Sequence, residues 1–170
     1  MTEVRISKYL PTNRTNAGAY LLNDWTSASD IGERYSLTAE DYLAQEDAYW
    51  EAAREIFSRL QIRSLTISEV EVELPLRRSG IPQLEKLSDH PVLSKLSEGS
   101  NVDILEFEVL FRLSLREMLW VCANADKNTY VHFGYDLYVY IGSEQDFRVP
   151  DVDGVFIEPF ASPYHTDCLS

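Results

Sequence analysis

The sequence has few of the residues that build disulfide scaffolds, zinc sites or membrane spans. Cys122 and Cys168 are its only cysteines, too few for a disulfide-rich fold or a structural zinc site, so we expect both thiols to be intact. No apolar run approaches the ~20 residues of a membrane-spanning helix. The N-terminal segment MTEVRISKYLPTNRTNAG lacks the apolar core of a signal peptide. These absences predict a soluble, cytoplasmic protein.

Basic residues are also scarce. The chain carries 15 Lys and Arg against 28 Asp and Glu, for a net charge of −13, and residues 20–61 and 136–170 each contribute −6. Such a field repels phosphate backbones and anionic membrane surfaces, which argues against nucleic acid or a membrane as partner. It is complementary to a basic protein, because opposite fields speed encounter, although solubility alone explains the charge equally well.

The rest of the composition is typical of a folded domain. Of the 170 residues, 45% are hydrophobic and 12% aromatic, and there are only seven glycines and seven prolines. The sequence shows no internal repeat, low-complexity tract or linker. We therefore expect one domain over residues 1–170.

The clearest element is a long amphipathic helix. Thr38 is a good N-cap, Asp41 completes a capping box, and Leu37 and Tyr42 are spaced for a hydrophobic staple. One apolar stripe at helical spacing follows: Tyr42, Leu43, Tyr49, Trp50, Ala53, Ile56, Phe57 and Leu60. The pattern predicts a helix from about 39 to 61.

Several segments alternate between apolar and polar residues, as strands do. Residues 3–9 are a weak first strand, and residues 63–74 are a strand whose parity changes, which predicts a bulge near Ser68–Glu69. Residues 105–115 alternate over a longer stretch and are assigned to a strand, although the same residues also fit a helical stripe. A short helix is expected at 91–97.

The strongest β signal lies near the C-terminus. The runs MLWVCANA and TYVHFGYDLYVYIG flank a turn-rich segment at 126–128, which predicts a hairpin over about 117–142. Gly134 within the second run indicates a bulge or a close approach of another group. One more short strand is expected around 155–158. The predicted fold is α+β, an antiparallel sheet with this C-terminal hairpin, backed by the helix over 39–61.

No motif identifies catalytic chemistry. There is no glycine-rich phosphate loop, GxSxG elbow or HExxH sequence, so no catalytic residue, metal ligand or cofactor is assigned. The segment Asp151-Val152-Asp153-Gly154 has the form of an aspartyl phosphotransferase motif, but Pro150 precedes it instead of a buried strand. A turn is the better interpretation, since Asp and Gly favour turns.

His132 is the one histidine with a conceivable catalytic role. Asp136 shares its strand face but lies about 13 Å away at the rise of a strand, and Cys122 lies across the predicted hairpin. A buried, hydrogen-bonded histidine and an inert cysteine are the simpler interpretation.

Acidic residues form three clusters that are candidates for partner binding. In order of preference they are Glu69, Glu71 and Glu73 on one strand; Asp151 and Asp153 in a turn; and Glu40, Asp41, Glu46 and Asp47 in the first half of the helix. The helix cluster ranks last because acidic side chains there also stabilise the helix dipole. The strand cluster has a structural explanation too, namely a basic residue on the neighbouring strand.

Three C-terminal segments together resemble a known family. The segments LREMLW (115–120), YVHFGYDLYVYIGS (130–143) and EPFASPY (158–164) resemble immunity proteins of bacterial contact-dependent growth inhibition and related polymorphic-toxin systems. The resemblance covers about a third of the chain, and its most specific part is the aromatic run. It implies a non-enzymatic cytoplasmic protein that binds and neutralises a cognate toxin domain, often a basic nuclease.

Two other functions remain open at this point. One is a small enzyme that uses His132 with nearby carboxylates, and the other is an acidic subunit of a larger assembly. If charge does not carry recognition, an apolar surface around Tyr138 and Tyr140 would have to do so.

Overall fold

A computed structural model describes residues 1–15, 20–72 and 80–164 of the chain. In these residues, helices cover one face of a seven-stranded antiparallel sheet, which confirms the predicted α+β class. The strands are β1 (Thr2–Ser7), β2 (Ser64–Val72), β3 (Asn101–Asp103), β4 (Leu119–Asp126), β5 (Thr129–Gly134), β6 (Tyr138–Ser143) and β7 (Phe156–Pro159). The helices are α1 (Ala39–Arg59), α2 (Pro82–Glu85) and α3 (Ile104–Leu115), and 3₁₀ turns lie at Ala28–Asp30 and Pro91–Lys95.

The strand order in the sheet is β3-β2-β4-β5-β6-β1-β7. Strands β4, β5 and β6 form an antiparallel meander at its centre. The first strand of the chain lies between two late ones, because Val4 pairs with Ile141 on β6 and with Pro159 on β7. One edge of the sheet is therefore formed by the first and the last strand of the described chain, β1 and β7.

Helix α1 begins as the sequence predicts and ends two residues early, at Arg59. Thr38 accepts a hydrogen bond from the Asp41 amide at 3.1 Å, and the Asp41 carboxylate accepts one from the Thr38 amide at 3.3 Å. Leu37 and Tyr42 share a small buried cluster, as a hydrophobic staple requires. Residues next to the first turn of α1 thus supply hydrogen-bond partners for both amides and a packing contact for its apolar side chain.

The prediction of a strand over residues 105–115 is wrong, because this segment is helix α3. Asp103 caps it, accepting from the Glu106 amide at 2.8 Å while Glu106 accepts from the Asp103 amide. The helix is buried on most of its circumference: Phe107, Val109, Leu110, Phe111, Leu113, Ser114 and Leu115. A helix that is apolar on both flanks satisfies an alternating pattern as well as a helical one, so only its capping box distinguished the two.

The C-terminal hairpin is confirmed between β4 and β5, but the following run is two strands rather than one. The chain turns at Tyr135, which is 82% exposed, with Asp136 and Leu137 at φ of 57° and 59°. Phe133 on β5 pairs with Val139 on β6 across the turn, and both side chains lie in the core. The predicted close approach at Gly134 is confirmed.

A Cβ at Gly134 would lie 3.0 Å from the Tyr140 ring and 3.2 Å from the Tyr164 hydroxyl. The other short predictions also hold: the register of β2 shifts between Ile67 and Glu69, and strand and 3₁₀ structure occur near 155–158 and 91–97. The first strand ends at Ser7 rather than at residue 9.

The thiol prediction needs correction. Cys122 is fully buried in β4 and is disulfide-bonded rather than a free thiol. Cys168 lies outside the described residues. None of the helices in the described part of the chain is long and apolar enough to span a membrane.

Aromatic rings join the two long helices to the sheet. Trp50 and Phe57 on α1 make edge contacts with Phe111 and Phe107 on α3, at ring-centroid distances of 5.3 and 5.9 Å. Phe111 continues to Phe133 on β5 at 5.2 Å. These contacts form a continuous aromatic layer within the core, between the helices and the sheet.

Truncation of this layer should be costly. We expect Trp50→Ala and Phe57→Ala each to lower the free energy of unfolding by ~3–5 kcal/mol, because each leaves a cavity that rigid neighbours cannot fill. Urea unfolding measures the loss. Leu105→Ala is the control, since Leu105 is 75% exposed on α3 and its truncation should cost within ~0.5 kcal/mol. Losses below about 1 kcal/mol for both aromatic variants would contradict the assignment of this layer to the core.

Two buried tyrosines predict loss of stability at high pH. Tyr42 donates to the Leu115 carbonyl at 2.9 Å and Tyr49 to the Leu137 carbonyl at 2.6 Å, and burial raises the pKa of both well above its usual value. An unfolded tyrosine ionises near pH 10. Their contribution is therefore complete below that pH, and stability falls above it because only the unfolded state loses the protons.

The double variant Tyr42→Phe/Tyr49→Phe tests this account. Between about pH 8 and about pH 11 its urea midpoint should fall less steeply than that of the wild type, because it has lost two of the groups responsible. Equal slopes would show that other groups control the alkaline transition.

Candidate functional site

The structure brings two of the three predicted acidic clusters together beside the first half of α1. The Gln45 side chain donates to the Gly154 carbonyl at 2.6 Å, and a Cβ at Gly154 would lie 3.3 Å from the Ala48 side chain. The segment before Gly154 is a turn, as expected, with Gly154 at a φ of 90°. We call the five exposed carboxylates of this region the α1 acidic patch: Glu40, Asp41, Asp47, Asp151 and Asp153.

Most of the charge on the α1 acidic patch is not neutralised. Asp47 pairs with Arg112 at 2.6 Å. The other four carboxylates have no basic partner within the described residues, although Asp41 also accepts the capping bonds at Thr38. The patch therefore presents a field that a basic surface would neutralise.

Glu46 was predicted as part of this cluster, but it is not on the surface. Its side chain is buried, with the residue 2% exposed, and Arg116 holds both carboxylate oxygens at 2.7 Å. Arg112 adds a third bond at 3.1 Å. The sequence contained a signal for this, because Glu46 is four residues after Tyr42 and three before Tyr49 on the buried stripe.

The two arginines connect α1, α2 and α3. Arg116 also donates to the Leu84 carbonyl of α2 at 2.8 Å, and Arg112 donates to Glu108 at 2.7 Å. Burial opposes the charge on Arg112, but its hydrogen bonds to Asp47, Glu108 and Glu46 outweigh that effect and raise its pKa. The network thus fixes α1, from which three carboxylates of the α1 acidic patch project.

The first-choice strand cluster lies on the other face of the sheet. Glu69 and Glu71 on β2 pair with Cys122 and Trp120 on β4. The residue between these two on β4, Val121, faces the core under the helices, so both glutamates lie on the opposite face. The β2 cluster and the α1 acidic patch therefore cannot contact the same flat surface of a partner.

The members of the β2 cluster also differ in exposure. Glu71 is exposed, but Glu69 is half-buried, and one of its carboxylate oxygens has no hydrogen-bond partner among the described residues. Glu73 lies outside the described residues. The structure thus leaves Glu71 as the one exposed carboxylate it describes for this cluster.

His132 is buried within the sheet. It is 1% exposed, its Nδ1 lies 2.8 Å from the Ser162 hydroxyl, and its ring stacks on Tyr130 at 4.2 Å. Cys122 pairs with it directly across the hairpin, as the sequence indicated. Asp136 lies in the turn that follows β5 rather than on its face.

The face around Tyr138 and Tyr140 is not an open apolar surface. Tyr140 is buried, and Arg5 and Arg14 lie over the Tyr138 ring at 4.8 and 5.5 Å. Both guanidinium groups pair with one oxygen of Glu158, at 2.9 and 3.1 Å. Sequence reasoning missed this cluster because its members come from opposite ends of the chain.

A second feature that the sequence did not reveal is an open cleft of about 630 Å³ beside the β5–β6 turn. Tyrosines and aspartates line much of it, including Tyr9, Tyr20, Asp24 and Asp136.

Within the described residues, no group of three or more His, Cys, Asp or Glu side chains is placed to hold a metal ion.

Comparisons with protein-family models, curated proteins and solved structures find no match to this chain.

The buried carboxylate predicts a large effect of Arg116. We expect Arg116→Met to lower the free energy of unfolding by ~3–5 kcal/mol, because it leaves Glu46 buried with only part of its compensation. Adding Glu46→Gln should restore part of the loss. The control is Arg54→Met, which breaks an exposed pair with Glu51 and should cost less than ~1 kcal/mol in urea unfolding. Equal losses for the two single variants would contradict the importance of this network.

Proposed function

We propose that this protein is a non-enzymatic immunity protein, which binds and neutralises a cognate, basic toxin domain through the α1 acidic patch. The observation that carries the proposal is the exposed group Glu40, Asp41, Asp151 and Asp153, whose charges no basic residue neutralises within the described part of the chain. The resemblance of the C-terminal segments to immunity proteins supports the same function.

The distribution of ion pairs supports the choice of this surface. Elsewhere on α1 the exposed acids are balanced locally, since Glu51 pairs with Arg54 and Glu55 with Arg59. Solubility requires only interspersed charges of both signs and no large field of one sign. A concentration of unpaired carboxylates instead attracts a basic surface at long range and orients it on approach.

The architecture beneath the patch suits rigid docking. Helix α1 is held by the aromatic layer on its inner side and by the Glu46 network at its first half. The turn carrying Asp151 and Asp153 is attached to it by the Gln45 bond to Gly154. A surface held in this way loses little conformational entropy on binding, so more of the contact energy becomes affinity.

We also propose that the protein acts in the cytoplasm, where the resemblance places such inhibitors. Disulfides such as the one at Cys122 are rare in a reducing compartment, so the location requires a direct test. Cell fractionation measures it, and recovery of the protein outside the cytoplasm would overturn this part of the proposal.

A charge-reversal experiment tests the function and the surface together. The proposal requires a toxin domain encoded beside this gene, and that domain is the probe. The wild-type protein should suppress its toxicity on co-expression. We expect Asp151→Lys/Asp153→Lys to lower the association rate about tenfold or more and to flatten its dependence on salt, because the steering field is removed. Binding kinetics between about 50 and about 300 mM salt give both quantities.

The matched control reverses two acids away from the patch, Glu71→Lys/Glu98→Lys. Both double variants should keep their stability within ~0.5 kcal/mol, since exposed charges contribute little to folding. A loss of binding in the control variant alone would assign recognition to the opposite face of the sheet. Failure of the wild-type protein to suppress the toxin would overturn the immunity function itself.

A further inference from the structure

The cleft beside the β5–β6 turn has an aromatic wall. It lies between the loop after β1, the segment from Tyr20 to Tyr35 and the turn at Asp136. The rings of Tyr9 and Tyr20 are 4.7 Å apart, and those of Tyr9 and Tyr138 are 5.5 Å apart. The faces of such rings carry negative electrostatic potential and attract cations, and Lys8 already lies 5.0 Å from the Tyr9 ring and Arg14 5.5 Å from the Tyr138 ring.

Carboxylates complete the lining of the cleft. Three aspartates line it against a single base, the exposed Arg34. Asp24 pairs with Lys8 at 2.6 Å, and Asp30 accepts a hydrogen bond from the Thr26 amide. The carboxylate of Asp136 has no such partner among the described residues. Asp136 therefore keeps an unneutralised charge at the mouth of an aromatic cleft.

A buried hydroxyl in the same place has no partner. Tyr9 is 2% exposed, and its hydroxyl makes no hydrogen bond within the described residues. Burial and the neighbouring carboxylates of Asp136 and Asp24 raise the pKa of Tyr9. An unsatisfied buried polar atom is costly in a folded protein, and a shift that opened the hydroxyl to the cleft would let an N–H group of a ligand donate to its oxygen.

We propose that this cleft binds an alkylammonium or guanidinium group, which lies against the rings of Tyr20 and Tyr35 and is neutralised by the Asp136 carboxylate. The group can be a lysine or arginine side chain of a bound protein or a free organic amine. Its assignment to the toxin domain rests on the proposed function, whereas the chemistry of the cleft does not. No residue of the cleft belongs to the α1 acidic patch, so the two surfaces can be tested independently.

The first experiment uses small probes on the isolated full chain. Butylguanidinium and butylammonium should shift the amide NMR resonances of Tyr20, Asp136 and Tyr138 saturably, whereas the neutral isostere butylurea should not. Asp136→Asn should weaken the binding of both cations about fivefold or more, because it removes the charge while Asn also tolerates the positive φ at this position. Asp151→Asn, which removes the same charge outside the cleft, should leave both affinities unchanged.

A second variant separates a binding role from a structural one. Tyr9→Phe removes a hydroxyl that has no partner in the unliganded protein, so it should weaken cation binding without lowering the urea midpoint. A variant that lost stability and kept its affinity would show that the hydroxyl serves the fold and would overturn its place in the site. Saturation by butylurea equal to that by the cations, or no saturable shift at all, would overturn the proposal.

Binding of the toxin domain to the Asp136→Asn variant identifies the source of the cation. If Asp136→Asn weakens toxin binding as it weakens butylguanidinium binding, the cation is a side chain of the toxin. If it weakens only the small probes, the ligand is a free amine and the toxin contacts the protein elsewhere. Cation binding by a wild-type protein that fails to suppress the toxin would overturn the immunity function and leave the cleft assignment intact.

Discussion

The burial of one carboxylate, that of Glu46, constrains the arrangement of all three helices. A buried charge is tolerated only when oriented donors surround it, and here Arg116 and Arg112 supply three bonds from the end of α3. Arg116 then reaches the Leu84 carbonyl of α2. A rotation of α1 about its axis would break these bonds and expose the apolar stripe, so the same constraint determines which acids point outward.

What the sequence predicted correctly was local, and what it missed was distant. The capping box at Thr38, the parity change near Ser68–Glu69 and the turn before Gly154 depend on a few adjacent residues. The Glu46–Arg116 pair joins positions 70 residues apart, and the Arg5–Glu158 pair joins positions 153 apart. No periodicity within one segment reports such partners, and for that reason the cleft was not predicted either.

Helix α3 shows a different limit of sequence patterns. Its burial between the sheet and α1 removes the polar flank that distinguishes a helix from a strand.

The two candidate binding features also differ in physical range. The α1 acidic patch acts through a field that reaches about one Debye length into the solvent, roughly 8 Å at physiological ionic strength. The cleft at Asp136 acts only on contact, where rings and carboxylate replace the hydration of a cation.

The position of β1 has a consequence for how the protein folds during synthesis. Thr2–Ser7 is synthesised before the other strands of the sheet, yet both of its neighbours, β6 and β7, lie more than 130 residues later in the chain. Until those residues emerge, β1 presents two unpaired strand edges with apolar Val4 and Ile6 between them. Pairings this distant in sequence are slow to form. The nascent chain therefore has an extended period in which β1 is open to aggregation or to protection by a chaperone.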